Sequence, residues 1–401
     1  MSRRAFPAIA ILLALLHLYI GWRLIPAMGQ APGGARIAIA LLAASALLVG
    51  TGLFGSSLKR FRWTEQLTWA GLLAMGLLSS LLVLTVLRDV ALLALHAIAA
   101  VDVVSIGALA AFGHASAIGV PLLALAVTLV GLVNARRIAR VVDVEVPIAG
   151  LPAAFDGYLI VQISDIHVGP TIRRGYLNAI VTRVNALEPD AIAITGDLVD
   201  GSVQRLGLHT APLERLSARD GTFFVTGNHE YYSGANQWID ELRRLGLTVL
   251  INQHVVFERG GDALMIAGVT DFLAHHFDAS QRSDPHAAAA GAPANVRTRV
   301  LLAHQPRSAE AAADAGFDLQ LSGHTHGGQF FPWNLFVPLQ QPYTAGLNRL
   351  RSLWVYTSRG TGYWGPPKRF GAPSEITRVT LVCAPGLPRA TGSVLAGSRP
   401  E

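Results

Sequence analysis

Residues 158–167 read Tyr-Leu-Ile-Val-Gln-Ile-Ser-Asp-Ile-His, an apolar run that ends in an aspartate and a histidine one residue apart. A short apolar run of this kind predicts a buried strand, Tyr158–Ser164. Side chains just beyond the carboxyl end of such a strand line the crevice where α/β sheets bind ligands. We therefore predict an α/β fold in which Asp165 and His167 belong to a polar site.

Four further polar motifs follow predicted strands in the same way: Thr195-Gly196-Asp197, Gly227-Asn228-His229-Glu230, Ala303-His304-Gln305-Pro306 and Gly323-His324-Thr325-His326-Gly327-Gly328. Taken singly, each has an ordinary explanation. A Gly-Asp pair is usually a turn, an isolated histidine is usually structural, and a His-x-His pair is as often structural as metal-binding. Five such motifs at strand ends in one region favour a single shared site.

The residue types in these motifs suit a pair of divalent metal ions. Carboxylate, imidazole and amide oxygen form a mixed nitrogen and oxygen ligand set, which fits manganese, iron or zinc better than a thiolate site would. Two ions about 3.5–4 Å apart need a bridging carboxylate, and Asp197 is the natural candidate. Such a pair can share a hydroxide and hold a phosphoryl group for in-line attack.

The surrounding pattern predicts a layered α/β fold with sizeable sheets, because strands and helices alternate early and strands dominate later. Helices are predicted at Leu177–Leu187 and Trp238–Leu245. Further strands are predicted at Ala191–Thr195, Thr222–Thr226, Val255–Glu258, Leu264–Ala267, Val300–Ala303, Leu319–Ser322, Leu353–Thr357 and Ile376–Val382. The segment Ala274–Ala294 is expected to be a surface loop or a short helix.

The first third of the chain is predicted to lie in a membrane. Hydrophobic residues make up 51% of the sequence and charged residues only 14%, against roughly 25% in soluble domains. Four segments are long and apolar enough to cross a bilayer: Phe6–Ile25, Ile37–Leu58, Leu67–Leu87 and Ala117–Val133. The stretch Val90–Phe112 contains Asp102 and is expected to form a partly buried or interfacial helix, with five spans as the alternative.

The positions of the cations predict cytoplasmic termini and a cytoplasmic catalytic half. One side of the predicted spans carries Arg3, Arg4, Lys59, Arg60, Arg62, Arg136, Arg137 and Arg140, and the other carries Arg23, Arg36 and Arg88. The net charge of +6 is thus explained by membrane flanks, and no nucleic acid partner is expected. A twin-arginine export signal at the amino terminus is the alternative, but further spans follow it. The single cysteine, Cys383, excludes internal disulfides.

The ordered motifs resemble those of the calcineurin-like metallophosphoesterase superfamily: Asp-x-His, Gly-Asp, Gly-Asn-His-Glu, a lone His and Gly-His-x-His. The resemblance spans roughly Leu151 to Val382. It implies a four-layer α-β-β-α sandwich with a dimetal site at the strand ends, following an α-helical transmembrane domain. Expected domain limits are 1–140 for the membrane domain, 141–154 for a connector, 155–384 for the metallophosphoesterase domain and 385–401 for a disordered tail.

The resemblance also implies roles for individual residues. Asp165, His167, Asp197 and His326 would bind one metal ion, and Asp197, Asn228, His304 and His324 would bind the other. His229 would contact the phosphate and protonate or stabilise the leaving oxygen. Manganese is favoured over iron and zinc.

The Gly-His-Thr-His-Gly-Gly-Gln form and the later turn Ser358–Gly362 are similar to a bacterial membrane-associated phosphodiesterase branch, some of whose members act on lipid-linked pyrophosphates such as UDP-diacylglucosamine. This implies an inner-membrane enzyme that hydrolyses a phosphodiester or pyrophosphate, with a membrane-tethered phosphomonoesterase or nucleotidase as the alternative. Arg359 is either an anion clamp on the substrate or a residue that holds its own loop. No protein partner is inferred.

Overall fold

The computed structural model describes residues 5–28, 33–54, 63–101 and 105–384. Its amino-terminal part consists of long apolar helices. They are α1 (Ala5–Leu24), α2 (Gly34–Phe54), α3 (Thr64–Ala99) and α4 (Ile106–Arg136). All four are long and apolar enough to cross a membrane. Gly52 and Gly71 let α2 and α3 pack backbone to backbone, since a Cβ on Gly71 would lie 2.8 Å from Gly52 Cα.

Polar side chains cluster at one end of the helix bundle. This end lies far from the carboxy-terminal part of the chain. Asp89 on α3 pairs with Arg23 on α1 at 2.8 Å and accepts a hydrogen bond from Tyr19 at 2.7 Å. The neighbouring Arg88 donates to the Gly113 carbonyl of α4 at 2.9 Å. These polar contacts therefore join α1, α3 and α4 at one level of the bundle.

The remaining chain forms two six-stranded mixed sheets. The first has the order β1-β12-β2-β3-β4-β5 and the second β10-β11-β9-β8-β7-β6. The strands are β1 (Arg140–Ile148), β2 (Leu159–Ile163), β3 (Ala191–Thr195), β4 (Thr222–Val225), β5 (Thr248–Val249), β6 (Gln253–Arg259), β7 (Asp262–Gly268), β8 (Val296–Leu302), β9 (Leu319–Ser322), β10 (Gly346–Leu350), β11 (Leu353–Thr357) and β12 (Glu375–Cys383).

Short helices cover the outer faces of both sheets. They are α5 (Arg174–Asn185), α6 (Val203–Thr210), α7 (Asn228–Ser233), α8 (Ala235–Arg244), α9 (Pro285–Ala289) and α10 (Ala309–Asp314). Side chains between the sheets, such as Ile160 and Leu302, form one core cluster. The outer faces form separate clusters, around Trp238 on the first sheet and Phe317 on the second. The result is the predicted four-layer α-β-β-α sandwich behind apolar helices.

Several local predictions were wrong or incomplete. The predicted connector 141–154 contains β1, which pairs in parallel with β12 along its whole length. Its proline at position 147 concealed this strand, since proline is tolerated only at sheet edges. The stretch Val90–Phe112 is not a separate helix, because α3 extends to Ala99 and α4 begins at Ile106. Strands β5 and β10 were not predicted.

Some predictions fall on parts of the chain that the structure does not describe. The expected tail, 385–401, lies outside the described residues, as do Asp102 and five of the cations used for orientation, Arg3, Arg4, Lys59, Arg60 and Arg62. The predicted domain limits and the predicted orientation therefore stay predictions.

Direct contacts fix the two-sheet unit on the helices. Lys368, in the loop before β12, is buried and donates to the Gly76 carbonyl at 3.1 Å and to Ser80 Oγ on α3. The next residue, Arg369, donates its backbone N–H to the Gly131 carbonyl of α4 at 2.9 Å. Trp333 Nε1 donates to Ser79 Oγ at 2.9 Å. The membrane helices and the sheets thus form a continuous structure.

Candidate metal centre

The five sequence motifs all lie at one edge of the two sheets, beyond the carboxyl ends of β2, β3, β4, β8 and β9. Their backbone there is unusual, because several non-glycine residues have a positive φ, a conformation that costs of order 1–3 kcal/mol each. The φ angles are 53° at Asp165, 55° at His167, 51° at Asp197, 69° at His324 and 52° at His326. Left-handed backbone concentrated at five polar side chains is typical of a functional site rather than of ordinary turns.

One cluster of potential ligands contains Asp165, His167 and His326, all buried. The Nε2 atoms of the two histidines are 3.1 Å apart, and His326 Nε2 lies 3.4 Å from Asp165 Oδ1. Asp165 is held in place from its other side, where its Oδ2 accepts hydrogen bonds from Ser164 Oγ at 2.5 Å and from the His324 backbone at 3.0 Å.

A second cluster contains Asp197, His304 and His324. His304 Nε2 lies 3.2 Å from Asp197 Oδ2 and 3.1 Å from His324 Nδ1. The same Asp197 oxygen is 3.8 Å from His167 Nε2 of the first cluster. Asp197 therefore stands between the two clusters, as a bridging carboxylate must.

The donor set fits two divalent cations. In both clusters imidazole nitrogens face each other at 3.1 Å, and as unprotonated acceptors both nitrogens of a pair can share a cation. Asn228 adds a further signal, because its Oδ1 is buried and has no hydrogen-bond partner among the described residues. A buried unsatisfied oxygen beside carboxylates is the group that an ion would satisfy.

The charges in the site favour a bound cation. Burial opposes ionisation of Asp197, but the positive charge and hydrogen bond of His304 hold its pKa well below the usual range. Burial, together with the charge of His304, lowers the pKa of His324 to about 3. Burial and Arg369 lower the pKa of His326 well below normal. The neutral rings of His324 and His326 beside the ionised Asp197 are in the protonation states that metal binding requires. Burial opposes protonation of His304, but the charge of Asp197 raises its pKa well above normal, so this ring must lose a proton when an ion binds.

The calcineurin-like phosphoesterase profile matches residues 158–328. A metallophosphoesterase of Aquifex aeolicus is 34% identical over 227 residues, which cover 55% of this chain and 84% of that one. This chain belongs to the calcineurin-like metallophosphoesterase family. Its buried histidine and aspartate clusters are the candidate dimetal site of that family.

Two longer relatives share more of the chain. Proteins described as "Transmembrane protein with metallophosphoesterase domain" are 40% identical over 270 residues in Danio rerio and 42% identical over 281 residues in Bos taurus. The matches cover 65% and 66% of this chain but only 62% and 63% of those relatives. The chain therefore spans just under two thirds of their length.

His229 lies beside the two clusters of this metallophosphoesterase and is oriented by a residue that the sequence analysis missed. Its Nδ1 is 2.6 Å from Asp200 Oδ1, and the same oxygen lies 3.0 Å from His167 Nδ1. Burial opposes protonation of His229, but the hydrogen bond to Asp200 and the charge of Asp197 raise its pKa to about 9. Asp200 lies three residues after Asp197 and is not part of the Gly-Asp motif. The isolated bridge between Val168 and Val199 places it beside the site.

Glu230 supports the turn that carries Asp197. Its carboxylate accepts hydrogen bonds from the backbone of Gly227 at 2.6 Å, Asp197 at 3.0 Å and Leu198 at 2.8 Å. The first bond caps the amino terminus of α7. The other two tie the Gly-Asp and Gly-Asn-His-Glu turns together.

Two arginines lie behind the metallophosphoesterase site. Arg359, the predicted substrate ligand, forms an ion pair with Glu375 at 2.9 Å, which favours the alternative in which it holds its own loop. Arg369 was not predicted at all. It is buried, contacts His326 Nδ1 at 3.1 Å and donates to the His326 carbonyl at 3.0 Å. Because its backbone also contacts α4, Arg369 links a candidate metal ligand to the membrane helices.

Proposed function

We propose that this protein hydrolyses a phosphodiester or pyrophosphate bond in an amphiphilic substrate at the membrane surface, with two divalent metal ions. The observation that carries the proposal is the pair of buried clusters on either side of Asp197 Oδ2. We assign Asp165, His167, Asp197 and His326 to one ion, and Asp197, Asn228, His304 and His324 to the other.

When bound, the two ions would activate a water molecule and neutralise charge on the phosphoryl group. The mixed ligand set supports manganese as the first metal to test, ahead of iron and zinc. We propose that His229 donates a proton to the leaving oxygen; burial opposes protonation of its ring, but the hydrogen bond to Asp200 and the charge of Asp197 raise its pKa. Asp200 orients the His229 ring through Nδ1, which leaves Nε2 facing the clusters at 4.0 Å from Asp197 Oδ2.

A groove of about 1030 Å³ supports an amphiphilic substrate over a small soluble one. Its polar end contains His229 and Asp200, and its apolar wall contains Leu53 on α2 with Leu72 and Met75 on α3. The groove runs between the metal centre and the apolar helices, so a phosphorus atom at His229 can carry an apolar substituent that lies against α2 and α3.

The aromatic residues near His229 fit this arrangement. The Trp364 ring lies 5.6 Å from the His229 ring, and Tyr232 lies 5.2 Å from it on another side. Both line the groove and both are more than half exposed, at 54% and 61%. They frame the opening, and we propose that they contact the leaving group.

The alternative function is a membrane-tethered phosphomonoesterase or nucleotidase. It would use the same metal centre, so the distinction lies in the substrate. Arg359 would serve as an anion clamp in either case only if its guanidinium left Glu375. We place the metal centre on the cytoplasmic side on the basis of the cation distribution described above, and we place the enzyme in a bacterial inner membrane on the basis of its resemblance to the membrane-associated branch.

The deciding experiment compares hydrolysis of bis-p-nitrophenyl phosphate and p-nitrophenyl phosphate by the detergent-purified protein with each metal in turn. We expect manganese-dependent cleavage of the diester, at least 100-fold slower in Asp197→Ala and His229→Ala. Asp240→Asn, an exposed carboxylate on α8, is the control. Near-wild-type turnover by Asp197→Ala would reject the two-metal mechanism, and a preference for the monoester would favour the alternative function.

The groove is tested separately with phosphodiesters whose alkyl chain is lengthened stepwise. We expect kcat/KM to rise with chain length in the wild type, by up to about fourfold per buried methylene. Met75→Trp should remove this dependence because it fills the apolar wall, while bis-p-nitrophenyl phosphate turnover stays unchanged. A chain-length dependence that survives in Met75→Trp would place the substituent elsewhere.

A further inference from the structure

The loop after the second histidine motif exposes an unusual number of large apolar side chains. Between β9 and β10, residues 331–339 read Phe-Pro-Trp-Asn-Leu-Phe-Val-Pro-Leu, without a charged residue. The exposed fractions are 51% for Phe331, 39% for Trp333, 63% for Leu335, 52% for Phe336 and 80% for Leu339. Contiguous apolar exposure on this scale marks a protein or membrane interaction surface.

The loop lies against α3 at a depth that the helix sequence fixes. Trp333 Nε1 donates to Ser79 Oγ at 2.9 Å. Between Glu65 and Arg88, α3 carries no charged side chain, and this stretch is about 33 Å long, close to the thickness of a bilayer's hydrocarbon core. Ser79 is nine residues from Arg88, about 14 Å along the axis. The contact point therefore lies within the hydrocarbon-spanning part of α3.

The neighbouring helices set the same depth. α1 contacts α3 at the Arg23–Asp89 ion pair, and α2 contacts α3 where Gly52 meets Gly71. Both α1 and α2 are barely longer than the roughly 20 residues that a span requires. The hydrocarbon core therefore covers α3 between about these two levels, and Ser79 lies between them.

We propose that residues 331–339 form a membrane-embedded loop that contacts lipid acyl chains beside α3. Two short 3-10 turns, Trp333–Leu335 and Val337–Leu339, satisfy part of the loop's backbone internally, as a segment in lipid requires. The apolar side chains that would be exposed in water are then continuous with the lipid-facing surface of α3. The inference stands on these contacts and does not depend on the substrate.

The loop is rigidly joined to the candidate metal ligands. It begins five residues after His326, and Gly328 packs so closely on the Asn334 backbone that a Cβ would clash with it. Gln329 Nε2 also donates to the Trp364 carbonyl at 2.9 Å. An embedded loop would therefore hold the metal centre and the groove at a fixed position relative to the bilayer.

Site-directed spin labelling tests the proposal directly. The single cysteine, Cys383, is exposed at the end of β12, about 26 Å along the strand from Glu375 beside the helices, and serves as the aqueous control. Leu335→Cys and Leu339→Cys are made in a Cys383→Ser background, and each protein is reconstituted into phosphatidylcholine–phosphatidylglycerol nanodiscs, one copy per disc. Circular dichroism and bis-p-nitrophenyl phosphate turnover check that each variant is folded.

We expect labels at positions 335 and 339 to collide several-fold more often with oxygen than with a water-soluble nickel chelate, and the label at Cys383 to show the reverse. Nickel accessibility at position 339 equal to that at Cys383 would overturn the proposal. Low accessibility to both reagents would also overturn it, because it would mean that a protein surface rather than lipid covers the loop. Neither result would affect the proposed function, which the turnover measurement reports independently.

Discussion

Replacing Asp200 tests how this site orients its catalytic histidine. Asp200 accepts from the rings of both His229 and His167 through one oxygen, Oδ1, at 2.6 Å and 3.0 Å. Burial opposes its ionisation, but the charges of and hydrogen bonds from the two rings hold its pKa below the usual range. Asp200 is therefore an ionised positioning residue, and its contribution has one part from geometry and one from charge.

Asparagine separates the two parts because its amide oxygen can take the place of Oδ1 without moving either ring. Only charge assistance is lost in Asp200→Asn, and hydrogen bonds to charged groups exceed neutral ones by about 1–1.5 kcal/mol. That difference at His229 predicts roughly tenfold lower kcat. Alanine removes the acceptor for both rings, so Asp200→Ala should cost about 100-fold, the upper end for residues that support metal ligands.

The assay is steady-state hydrolysis of bis-p-nitrophenyl phosphate, with manganese affinity measured by calorimetry on the same preparations. We expect Asp200→Asn to lower kcat with little change in KM and a smaller loss of metal affinity than Asp200→Ala, which removes the acceptor for His167 altogether. Asp240→Asn controls for the loss of a carboxylate. Equal losses in Asp200→Asn and Asp200→Ala would refute the geometric role, and wild-type kcat in both would refute any role for Asp200.

Three further predictions concern close packing and an unpaired oxygen. Gly71→Ala should destabilise the folded protein by about 1–3 kcal/mol in thermal unfolding, because its Cβ would clash with Gly52; Gly50→Ala, where the space is open, should change the midpoint little. Gly323→Ala should lower bound metal measured by mass spectrometry, because its Cβ would clash with the Asp165 carboxylate; normal metal content would contradict this. Asn228→Ala should leave the metal-free midpoint unchanged, since its Oδ1 is unpaired, but should reduce the shift on adding manganese.

Much of the sandwich could be predicted because its strands are buried on both faces. Strand β3 is a continuous run of apolar and small residues, and β9 is fully buried although it contains Gln320; the limits of both strands match the prediction. β1 and β10 could not be found this way, because they lie at sheet edges and carry partly exposed residues in a mixed pattern. The partner of β1 is β12, which lies more than 200 residues away in the sequence. The partner of β10 is β11, the next strand along the chain.

The metal centre could be predicted from the sequence because its ligands directly follow strands that could themselves be predicted. A side chain placed by the end of a strand needs no tertiary information beyond the sheet itself. Asp200 and Arg369 lacked this signal, since each reaches the site from a loop whose path depends on distant contacts. For Arg369 that contact is with α4, which no pattern within the catalytic half indicates.

For the apolar helices, the sequence predicted their positions in the chain but not how they contact the catalytic half. Hydropathy located the apolar helices because it depends only on local composition, yet it could not relate their depth to the catalytic unit. That relation comes from single contacts, Lys368 with Ser80 and Trp333 with Ser79, each between residues more than 250 positions apart. Considered alone, residues 331–339 are an apolar loop that contains two prolines, and their sequence does not indicate what surrounds them. Its position beside the uncharged stretch of α3 is what makes lipid, rather than water, its expected surroundings.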